Sequence, residues 1–463
     1  MSSHDDHSRS GATGGGPQYA FYGDDFTGAT DTLAHLARAG LRTMLLLAPP
    51  DAARLRKLGP LDAIGVAGAA RTMSPDEQRV ELTNVGQAFA ELGVRVMHYK
   101  VCSTFDSAPQ TGSIGVAIRT LRDYCANPLV AVIGGQPNLR RYCVFGELYA
   151  AAGADDDKSS IYRIDRHPTM SRHPVTPMNE ADLRVHLRRQ GVDNVQFIDW
   201  RCYAAGDTAL RSELQGRLAL RPDAVLFDVL DDSHLHAIGR LLMHQVRSAA
   251  PLLAVGASSV AQAYASALGQ SAASEAVPQR ERLARARGPV FVLAGSLSPL
   301  TEVQIRAAHS YRHIELDPLQ MTGESAHGYL MAQVAAIADA LRDGSNVLAF
   351  TARRRSNAYE TPGALPQLAH ACASLLHQVL GAVKLQRVGI AGGDTSSIAV
   401  RTLGAWGLSY LAPLPAGVTV CRVHADSAEL DGVELMLKGG QMGDADVFQQ
   451  MLEGYGDDER SNV

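Results

Sequence analysis

Short apolar runs alternate with longer segments of helical period along most of the chain. Amphipathic segments predict helices over Thr30–Ala39, Pro75–Leu92 and Glu180–Arg189. The apolar runs predict buried strands at Tyr19–Tyr22, Thr43–Leu47, Ala63–Ala67, Arg95–Tyr99, Leu129–Ile133, Val195–Ile198, Ala224–Phe227, Leu252–Val255, Val290–Ala294, His313–Leu316, Asn346–Phe350, Arg387–Ala391 and Gly417–Val423. This alternation is typical of α/β proteins, so we expect two α/β domains with largely parallel sheets.

The pattern changes around residues 271–288, where small, polar and charged residues replace the strand-like runs. We therefore predict a disordered tail over residues 1–17, an N-terminal domain over 18–270, a linker over 271–288 and a C-terminal domain over 289–455. An interdomain cleft between two α/β domains is a common place for a small-molecule site.

Composition narrows the class of protein. Of 463 residues, 46% are hydrophobic and 20% are charged, which fits an ordinary globular protein. The formal net charge is −5, and no run of Lys or Arg forms a basic stripe, so we expect neither a nucleic-acid nor a membrane partner. No apolar run approaches the roughly 20 residues of a membrane span. The six cysteines are scattered without metal-like spacing, which favours reduced thiols and a cytoplasmic location.

The first candidate site is the segment FYGDDFTGATD, residues 21–31. Asp24 and Asp25 stand between a predicted strand and a predicted helix, where open α/β sheets bind ligands. The alternative is that Asp25 or Thr27 only caps the helix while Asp24 is solvated.

The second candidate site is KVCSTFDSAPQTGSIG, residues 100–115. It opens at a strand end and leads into a helix start whose free N–H groups suit an anion. A loop stabilised by its own hydroxyl and carboxylate turns is the alternative. The cation, hydroxyls and carboxylate of the segment suit a small polyhydroxylated anion: Lys100, Ser103, Thr104 and Asp106.

A third segment, RIDRHPTMSRHPVTPM at residues 163–178, is rich in proline and ionisable side chains. The prolines predict a long, stiffened loop. Arg172 and His173 are candidates for contact with an anion or a substrate, and a packed connector is the alternative. The spacing of the histidines does not favour a metal site.

The C-terminal half carries three glycine turns between strands and helices. In IAGGDTSSIAVRTLG the paired glycines allow close approach of a ligand, and the helix N-terminus favours phosphate. None of the turns matches the dinucleotide or Walker fingerprints, and a generic turn capped by Thr395 is the alternative. Together they predict a nucleotide platform with these candidate residues: Ser296, Ser298, Gly392, Gly393, Asp394, Thr395, Gly439 and Gly440.

The ordered set of motifs resembles the four-carbon acid sugar kinase family. The elements that carry the resemblance, over about residues 18–452, are DDFTGATD, KVCSTFDS with GSIG, GSLSPLT, GGDT and KGGQMG. One departure is Gln441, where the family commonly has phenylalanine, which bears on the adenine pocket rather than on phosphate binding.

The resemblance implies an ATP-dependent kinase that phosphorylates a hydroxyl of a small sugar acid, such as threonate, erythronate, an oxo-tetronate or 3-oxo-isoapionate. It implies ATP contacts at the glycine turns and substrate contacts at the N-terminal motifs, with Arg71 added to them. On that basis Asp25 is the predicted base for the hydroxyl proton, and Asp24 orients that hydroxyl or binds a second one, while Arg71 and Lys100 bind the substrate carboxylate. Asp394 is the predicted ligand of Mg²⁺, through water, and a carboxylate on the substrate side is the alternative.

Two other functions stay open from the sequence. One is a non-catalytic sugar-acid sensor regulated by nucleotide. The other is an NAD-linked dehydrogenase, which the missing dinucleotide fingerprint disfavours. The sequence leaves open a homo-oligomer, the particular sugar acid and the hydroxyl that is phosphorylated.

Overall fold

The computed structural model describes residues 16–152, 160–173, 175–246, 250–269, 282–296, 298–351, 364–415, 417–440 and 442–455. Most of the predicted tail and much of the predicted linker lie outside these ranges. The domain boundaries therefore stay a prediction.

The N-terminal part alternates strands and helices, as the hydrophobic pattern predicts. Its strands are β1 (Tyr19–Gly23), β2 (Thr43–Leu46), β3 (Ala63–Ala67), β4 (Val96–Lys100), β5 (Val130–Ile133), β6 (Arg141–Val144), β7 (Glu147–Ala151), β8 (Ile161–Arg163), β9 (Val195–Ile198), β10 (Ala224–Phe227) and β11 (Leu252–Gly256). Its helices are α1 (Phe26–Arg38), α2 (Ala52–Leu58), α3 (Pro75–Glu91), α4 (Ile114–Arg122), α5 (Leu183–Arg188), α6 (Asp207–Leu218), α7 (Asp232–Val246) and α8 (Ser259–Gly269).

The C-terminal part continues the alternation and adds a long hairpin. Its strands are β12 (Val290–Ala294), β13 (Arg312–Leu316), β14 (Val347–Thr351), β15 (Arg387–Ala391), β16 (Ala405–Leu414), β17 (Val418–Ala425) and β18 (Glu434–Lys438). Its helices are α9 (Pro299–Ala307), α10 (Pro318–Thr322), α11 (Ala326–Arg342), α12 (Ala364–Ala382), α13 (Gly393–Thr402) and α14 (Val447–Glu453).

Fifteen of the described strands form one sheet, in the order β13-β14-β12-β15-β18-β17-β16-β2-β3-β1-β4-β11-β5-β10-β9. Two runs of neighbours in this order pair in parallel: β2-β3-β1-β4-β11-β5-β10-β9 and β13-β14-β12-β15-β18. The predicted α/β class with largely parallel strands is confirmed.

The two parts share this sheet because β16 pairs antiparallel with β2, through Gly407 opposite Leu46 and Leu408 opposite Leu45. Pairing satisfies backbone groups that an exposed edge strand would leave open. The hydrophobic pattern predicts neither this junction nor the separate antiparallel sheet β6-β7-β8. The strands of that small sheet are partly exposed and lack the apolar runs that mark buried strands.

The hydrophobic core follows the two faces of the sheet. On one face a single cluster runs through both parts, and it includes Phe26 and Leu33 of α1 as well as Leu408 and Val423 of the hairpin. On the other face each part has its own cluster. Helix α1 therefore packs on the C-terminal part while its N-terminus follows β1. Among the helices that the structure describes, none is long and apolar enough to cross a membrane.

Candidate active site

Three neighbouring strands bring the first group of candidate residues to one edge of the sheet. β3, β1 and β4 lie side by side, with Gly23 opposite both Ala67 and Lys100. Asp24 and Asp25 directly follow β1, and Lys100 is the last residue of β4. Arg71 lies in a short 3₁₀ turn, Ala70–Thr72, beyond the end of β3. Parallel strands end at the same edge, so residues distant in sequence meet there.

The four charged side chains form a compact cluster of two acids and two bases, which we call the ion cluster: Asp24, Asp25, Arg71 and Lys100. Arg71 donates to both carboxylate oxygens of Asp24, at 2.8 and 3.2 Å, and to Oδ2 of Asp25 at 3.1 Å. Lys100 Nζ donates to Oδ1 of Asp25 at 3.2 Å. A planar guanidinium that binds carboxylates in this way is well suited to hold a substrate carboxylate.

Asp25 is the most heavily hydrogen-bonded member of the cluster. It caps α1, because its Oδ1 accepts from the Gly28 N–H at 3.0 Å, and its Oδ2 accepts from the Thr27 hydroxyl at 2.8 Å. Burial works to raise the pKa of Asp25, yet Arg71 and Lys100 outweigh it and hold the pKa well below its ordinary range. Asp25 thus caps α1 and also pairs with Arg71 and Lys100. Helix capping, the alternative raised from the sequence, is therefore only part of its role.

Asp24 is buried more deeply and behaves differently. Its backbone N–H donates to the Lys100 carbonyl at 3.0 Å, which keeps its position fixed beside β4. Burial raises the pKa of Asp24, against the opposing pull of Arg71 and Lys100. The two adjacent carboxylates therefore differ in their affinity for a proton, as paired acids with distinct functions do.

Gly28 makes room for the lysine of the cluster. A Cβ placed on Gly28 would lie 1.4 Å from Nζ of Lys100. Any side chain at this position would therefore displace the amine from Asp25. The glycine in the DDFTGATD motif is explained by this close approach.

The hydroxyl-rich segment after β4 lies beside the ion cluster. The Thr104 hydroxyl donates to Oδ1 of Asp106 at 2.5 Å, and both residues are buried, whereas Ser103 is half-buried. Burial alone would raise the pKa of Asp106. The pKa is lowered instead, mainly by Arg71, by the Thr104 hydroxyl and, more weakly, by His173. Thr104 and Asp106 thus share the electrostatic environment of Arg71.

The N-terminus of α4, which the sequence analysis expected to be free for an anion, is occupied. Gln190 Oε1 accepts from the N–H groups of Ile114 at 2.8 Å and Gly115 at 3.4 Å, and Ser113 Oγ accepts from Val116 N. The glutamine lies just beyond the end of α5, a long-range contact that spacing cannot reveal. The N–H groups at this helix start therefore bind protein side chains rather than an anion.

The third predicted segment, residues 163–178, shows no direct hydrogen bond to the ion cluster in the described structure. Arg172 lies in a short 3₁₀ turn with an exposed side chain, and His173 is half-buried. His173 Nδ1 accepts from the backbone N–H of Thr176 at 3.1 Å, which fixes the ring. Contact of these two residues with a substrate stays a prediction.

In the C-terminal part, three adjacent parallel strands bring the glycine turns together. β12, β15 and β18 are neighbours, and the N–H of Gly295 donates to the Ala391 carbonyl at 2.9 Å. Gly392 donates to the Lys438 carbonyl at 2.9 Å and has φ of 127°, a conformation that favours glycine. We call these residues the glycine cradle: Gly295, Ser296, Ser298, Gly392, Gly393, Gly439 and Gly440.

The cradle is tightly packed on one side and open on the other. The Ser298 hydroxyl donates to the Gly440 carbonyl, and a Cβ on Gly440 would lie 2.7 Å from Ser296 Oγ. By contrast, a Cβ on Gly393, the first residue of α13, would meet nothing within 4 Å. Open space at a helix N-terminus, lined by hydroxyls and glycines, fits the phosphates of a nucleotide.

Thr395 and Asp394 follow in the first turn of α13. The Thr395 hydroxyl is buried beside Gly295, where an added Cβ would lie 2.3 Å from it. The side chain of Asp394 lies outside what the structure describes. Within the described part of the chain, no group of three His, Cys, Asp or Glu side chains is placed to hold a metal ion.

Three residues beside the cradle were missed by sequence reasoning. Thr301 Oγ1 donates to the Gly440 carbonyl at 3.3 Å, and Gln304 Nε2 donates to the carbonyls of Met442 and Gly443, each at 3.0 Å. Lys438 is completely buried at the end of β18. The lysine directly before paired glycines was the only signal in the sequence.

The turn between β16 and β17 lies beside one loop from each part of the chain. A Cβ on Gly417 would lie 2.8 Å from Leu139 Cδ2, which follows β5, and 3.0 Å from Met442 Cε, which follows β18. The parallel strands of the two parts run in opposite senses, because β16 and β17 pair antiparallel between them. Helix α1 also packs against α13. The ion cluster and the glycine cradle are therefore linked through packed elements.

Comparison with known proteins matches each of the two parts of the chain to a family model. A family model described as "Sugar-binding N-terminal domain" matches residues 19–264, and one described as "Nucleotide-binding C-terminal domain" matches residues 291–448. A 3-oxo-isoapionate kinase from Paraburkholderia graminis is 35% identical over 456 residues, with 94% of each chain covered. A 3-oxo-tetronate kinase from Methylobacterium radiotolerans is 29% identical, with 93% of this chain and 97% of the relative covered.

Solved structures share the fold. A Salmonella typhimurium LT2 protein has a TM-score of 0.74 at 22% identity, with 93% of this chain and 98% of the other covered. A Haemophilus influenzae protein has a TM-score of 0.68, with the same identity and coverage. Fold and matches together define a protein that joins a sugar-binding domain to a nucleotide-binding domain. The chain belongs to the four-carbon acid sugar kinase family and is a sugar-acid kinase. The predicted family is confirmed.

Proposed function

We propose that this chain transfers a phosphoryl group from ATP to a hydroxyl of a small 3-oxo sugar acid, with 3-oxo-isoapionate as the first candidate. The observation that carries the proposal is the buried ion cluster, whose two cations lie beside the hydroxyl-rich segment of Thr104 and Asp106. The kinase named for 3-oxo-isoapionate is 35% identical to this chain, and the one named for 3-oxo-tetronate is 29% identical.

The substrate side of the proposal follows from charge balance. In the free protein Asp24 and Asp25 neutralise Arg71 and Lys100. A substrate carboxylate competes for the same two cations and weakens their hold on Asp25. The pKa of Asp25 then rises toward its ordinary range, since the nearby positive charges are shared with another anion. Asp25 becomes a better acceptor for the hydroxyl proton, and Asp24 orients the hydroxyl.

Several neighbouring side chains complete the proposed sugar-acid site. Ser103, Thr104 and Asp106 would hydrogen-bond further hydroxyls of the substrate. At the border of the site Arg172 would add positive charge and His173 an imidazole ring, which already acts on Asp106. A site built to bind several hydroxyls discriminates strongly against acids that lack them.

The nucleotide side of the proposal places the phosphates of ATP in the glycine cradle. Ser296, Ser298, Thr395 and the N–H groups of Gly393 and its neighbours would hold them. ATP supplies the phosphoryl group when bound, and Mg²⁺ neutralises charge on its phosphate oxygens. Asp394 is the residue we propose to hold the Mg²⁺, through water. Because the described carboxylates of the ion cluster already bind cations, we expect most ligands of the ion to come from phosphate and water.

The test is a panel of four- to six-carbon sugar acids with ATP and Mg²⁺, in which the phosphorylated product is detected by mass. A product with a 3-oxo acid, lost in Arg71→Met, supports the proposal. Nucleotide and acid binding without any phosphorylated product would favour the nucleotide-regulated sensor instead. A preference for NAD over ATP in a thermal-shift screen would favour the dehydrogenase. A cytoplasmic location and a homo-oligomeric state stay predictions.

A further inference from the structure

Lys438 carries a buried amine that the proposed reaction does not use. It ends β18 and is 0% exposed, directly before the paired glycines of the cradle. Its amine donates to Thr301 Oγ1 at 3.3 Å, and the Phe448 ring centroid lies 5.9 Å from Nζ. A lysine amine has three N–H donors, so a single hydroxyl partner leaves most of its capacity unused.

No carboxylate among the described residues lies within ion-pair distance of this amine. Two neutral side chains from the elements packed around it lie near the amine: Thr301 from α9 and Phe448 from α14. The charged and titratable residues of α9, α14, β18 and its neighbours β15 and β17 are engaged or exposed elsewhere: Glu302 with Arg306, Glu453 with Gln449, Arg387 with Glu434, His424 with Ser409, and the exposed Arg422. An uncompensated buried charge is costly, so this position needs a physical reason.

The amine is connected to the cradle through one hydroxyl. Thr301 Oγ1 accepts from Lys438 and donates at 3.3 Å to the carbonyl of Gly440, which also accepts from Ser298. The backbone carbonyl of Lys438 in turn accepts from the N–H of Gly392. One residue therefore contacts two of the three turns that form the proposed phosphate site.

We infer that Lys438 is a positioning residue that responds to nucleotide: at mildly alkaline pH its amine is neutral in the free protein and takes up a proton when phosphates enter the cradle. This inference rests on the proposed nucleotide site. Desolvation lowers the pKa of Lys438 to about 7 in the structure. Anionic phosphates bound in the cradle would favour the charged form of the amine, and the proton comes from solvent.

The experiment measures proton uptake when ADP binds, by titration calorimetry in buffers of different ionisation enthalpy at pH 8 and pH 9. The phosphates of ADP are already ionised at these pH values, since the second pKa of a phosphate is about 6. For the wild type we expect uptake of most of a proton at pH 8 and of less at pH 9, and a dissociation constant that rises by up to about tenfold between the two pH values.

Lys438→Met removes the charge but keeps an unbranched side chain of similar length. We expect this variant to take up no proton and to bind ADP about tenfold more weakly at pH 8, the size of a typical coupling between sites. Lys384→Met is the matched control, because it removes an exposed lysine of the same domain and should leave both quantities unchanged. Lys438→Gln is the second variant should Lys438→Met fail to fold.

The outcomes separate the inference from the function on which it rests. Wild-type protein that binds ADP without proton uptake, or Lys438 variants that keep the uptake, would overturn the inference and leave the nucleotide site standing. Wild-type protein that does not bind ADP at all would overturn both. A merely structural lysine would change stability in Lys438→Met without abolishing a proton uptake on binding.

Discussion

Replacement of Asp25 by asparagine tests the charge balance of the ion cluster. Each carboxylate oxygen of Asp25 accepts two hydrogen bonds, one from a residue near in sequence and one from a distant residue. Oδ1 accepts from Gly28 N and Lys100 Nζ, and Oδ2 accepts from the Thr27 hydroxyl and Arg71 Nη1. Asparagine offers one acceptor oxygen and an NH₂ group that accepts nothing. In either orientation its NH₂ group faces a buried cation.

The expected loss of stability follows from this geometry. The cluster changes from two acids and two bases to one acid and two bases, so one buried positive charge loses its partner. Breaking a buried ion pair on one side costs about 3–5 kcal/mol. The capping function itself is nearly preserved, since asparagine and aspartate are similar helix caps.

Asp51→Asn provides the matched control for this variant. Asp51 caps α2 in the same way, accepting from the Arg54 N–H at 2.8 Å, but its side chain is 64% exposed. We expect this control to change the free energy of unfolding by less than about 0.5 kcal/mol. Urea unfolding followed by circular dichroism measures both variants.

Turnover gives the second readout of Asp25→Asn. We expect phosphoryl transfer to fall by about 10²-fold or more while nucleotide binding is kept, because general bases contribute factors of this size. Equal stability of the Asp25 and Asp51 variants would refute the charge balance derived above. Near-normal turnover would remove Asp25 from the role of base.

Two glycine substitutions test the cradle and the lysine position. Gly393→Ala places a methyl group in open space at the start of α13, so we expect unchanged or slightly higher stability but nucleotide binding at least about tenfold weaker, measured by calorimetry. Gly381→Ala in α12, also without a neighbour within 4 Å, should leave binding intact. Gly28→Ala should displace Lys100, lower stability by about 1–3 kcal/mol and reduce turnover, whereas Gly216→Ala in α6 should do neither. Full nucleotide binding by the Gly393 variant, or full turnover by the Gly28 variant, would contradict these two assignments.

Much of the fold could be predicted because buried parallel strands have an unmistakable composition. The bounds of β3, β9, β10, β12 and β15 agree with the apolar runs. The start of α1 at Phe26 rather than Thr30 was missed, since the cap at Asp25 lies within a motif that also suggests ligand binding. The half-exposed strands β6, β7 and β8 carry no comparable signal.

The candidate site could be predicted only in part. Motifs at strand ends predicted Asp24, Asp25 and Lys100, since the carboxyl edge of a parallel sheet is where ligands bind. Arg71 has no motif of its own and entered through the family resemblance. Gln190, which closes the N-terminus of α4, comes from a segment that local spacing does not connect to it.

The sequence by itself determined the α/β class, the alternation of strands and helices, and the glycine and aspartate turns, because hydrophobic period and turn chemistry are local properties. Tertiary structure decided which of those turns meet. The pairing of β16 with β2 joins the two sheets, and the neighbouring ends of β3, β1 and β4 assemble the ion cluster. It also decided that Lys438 is buried without a counter-charge among the described residues. Such contacts depend on chain segments far apart in sequence, whose proximity is set by packing of the whole sheet.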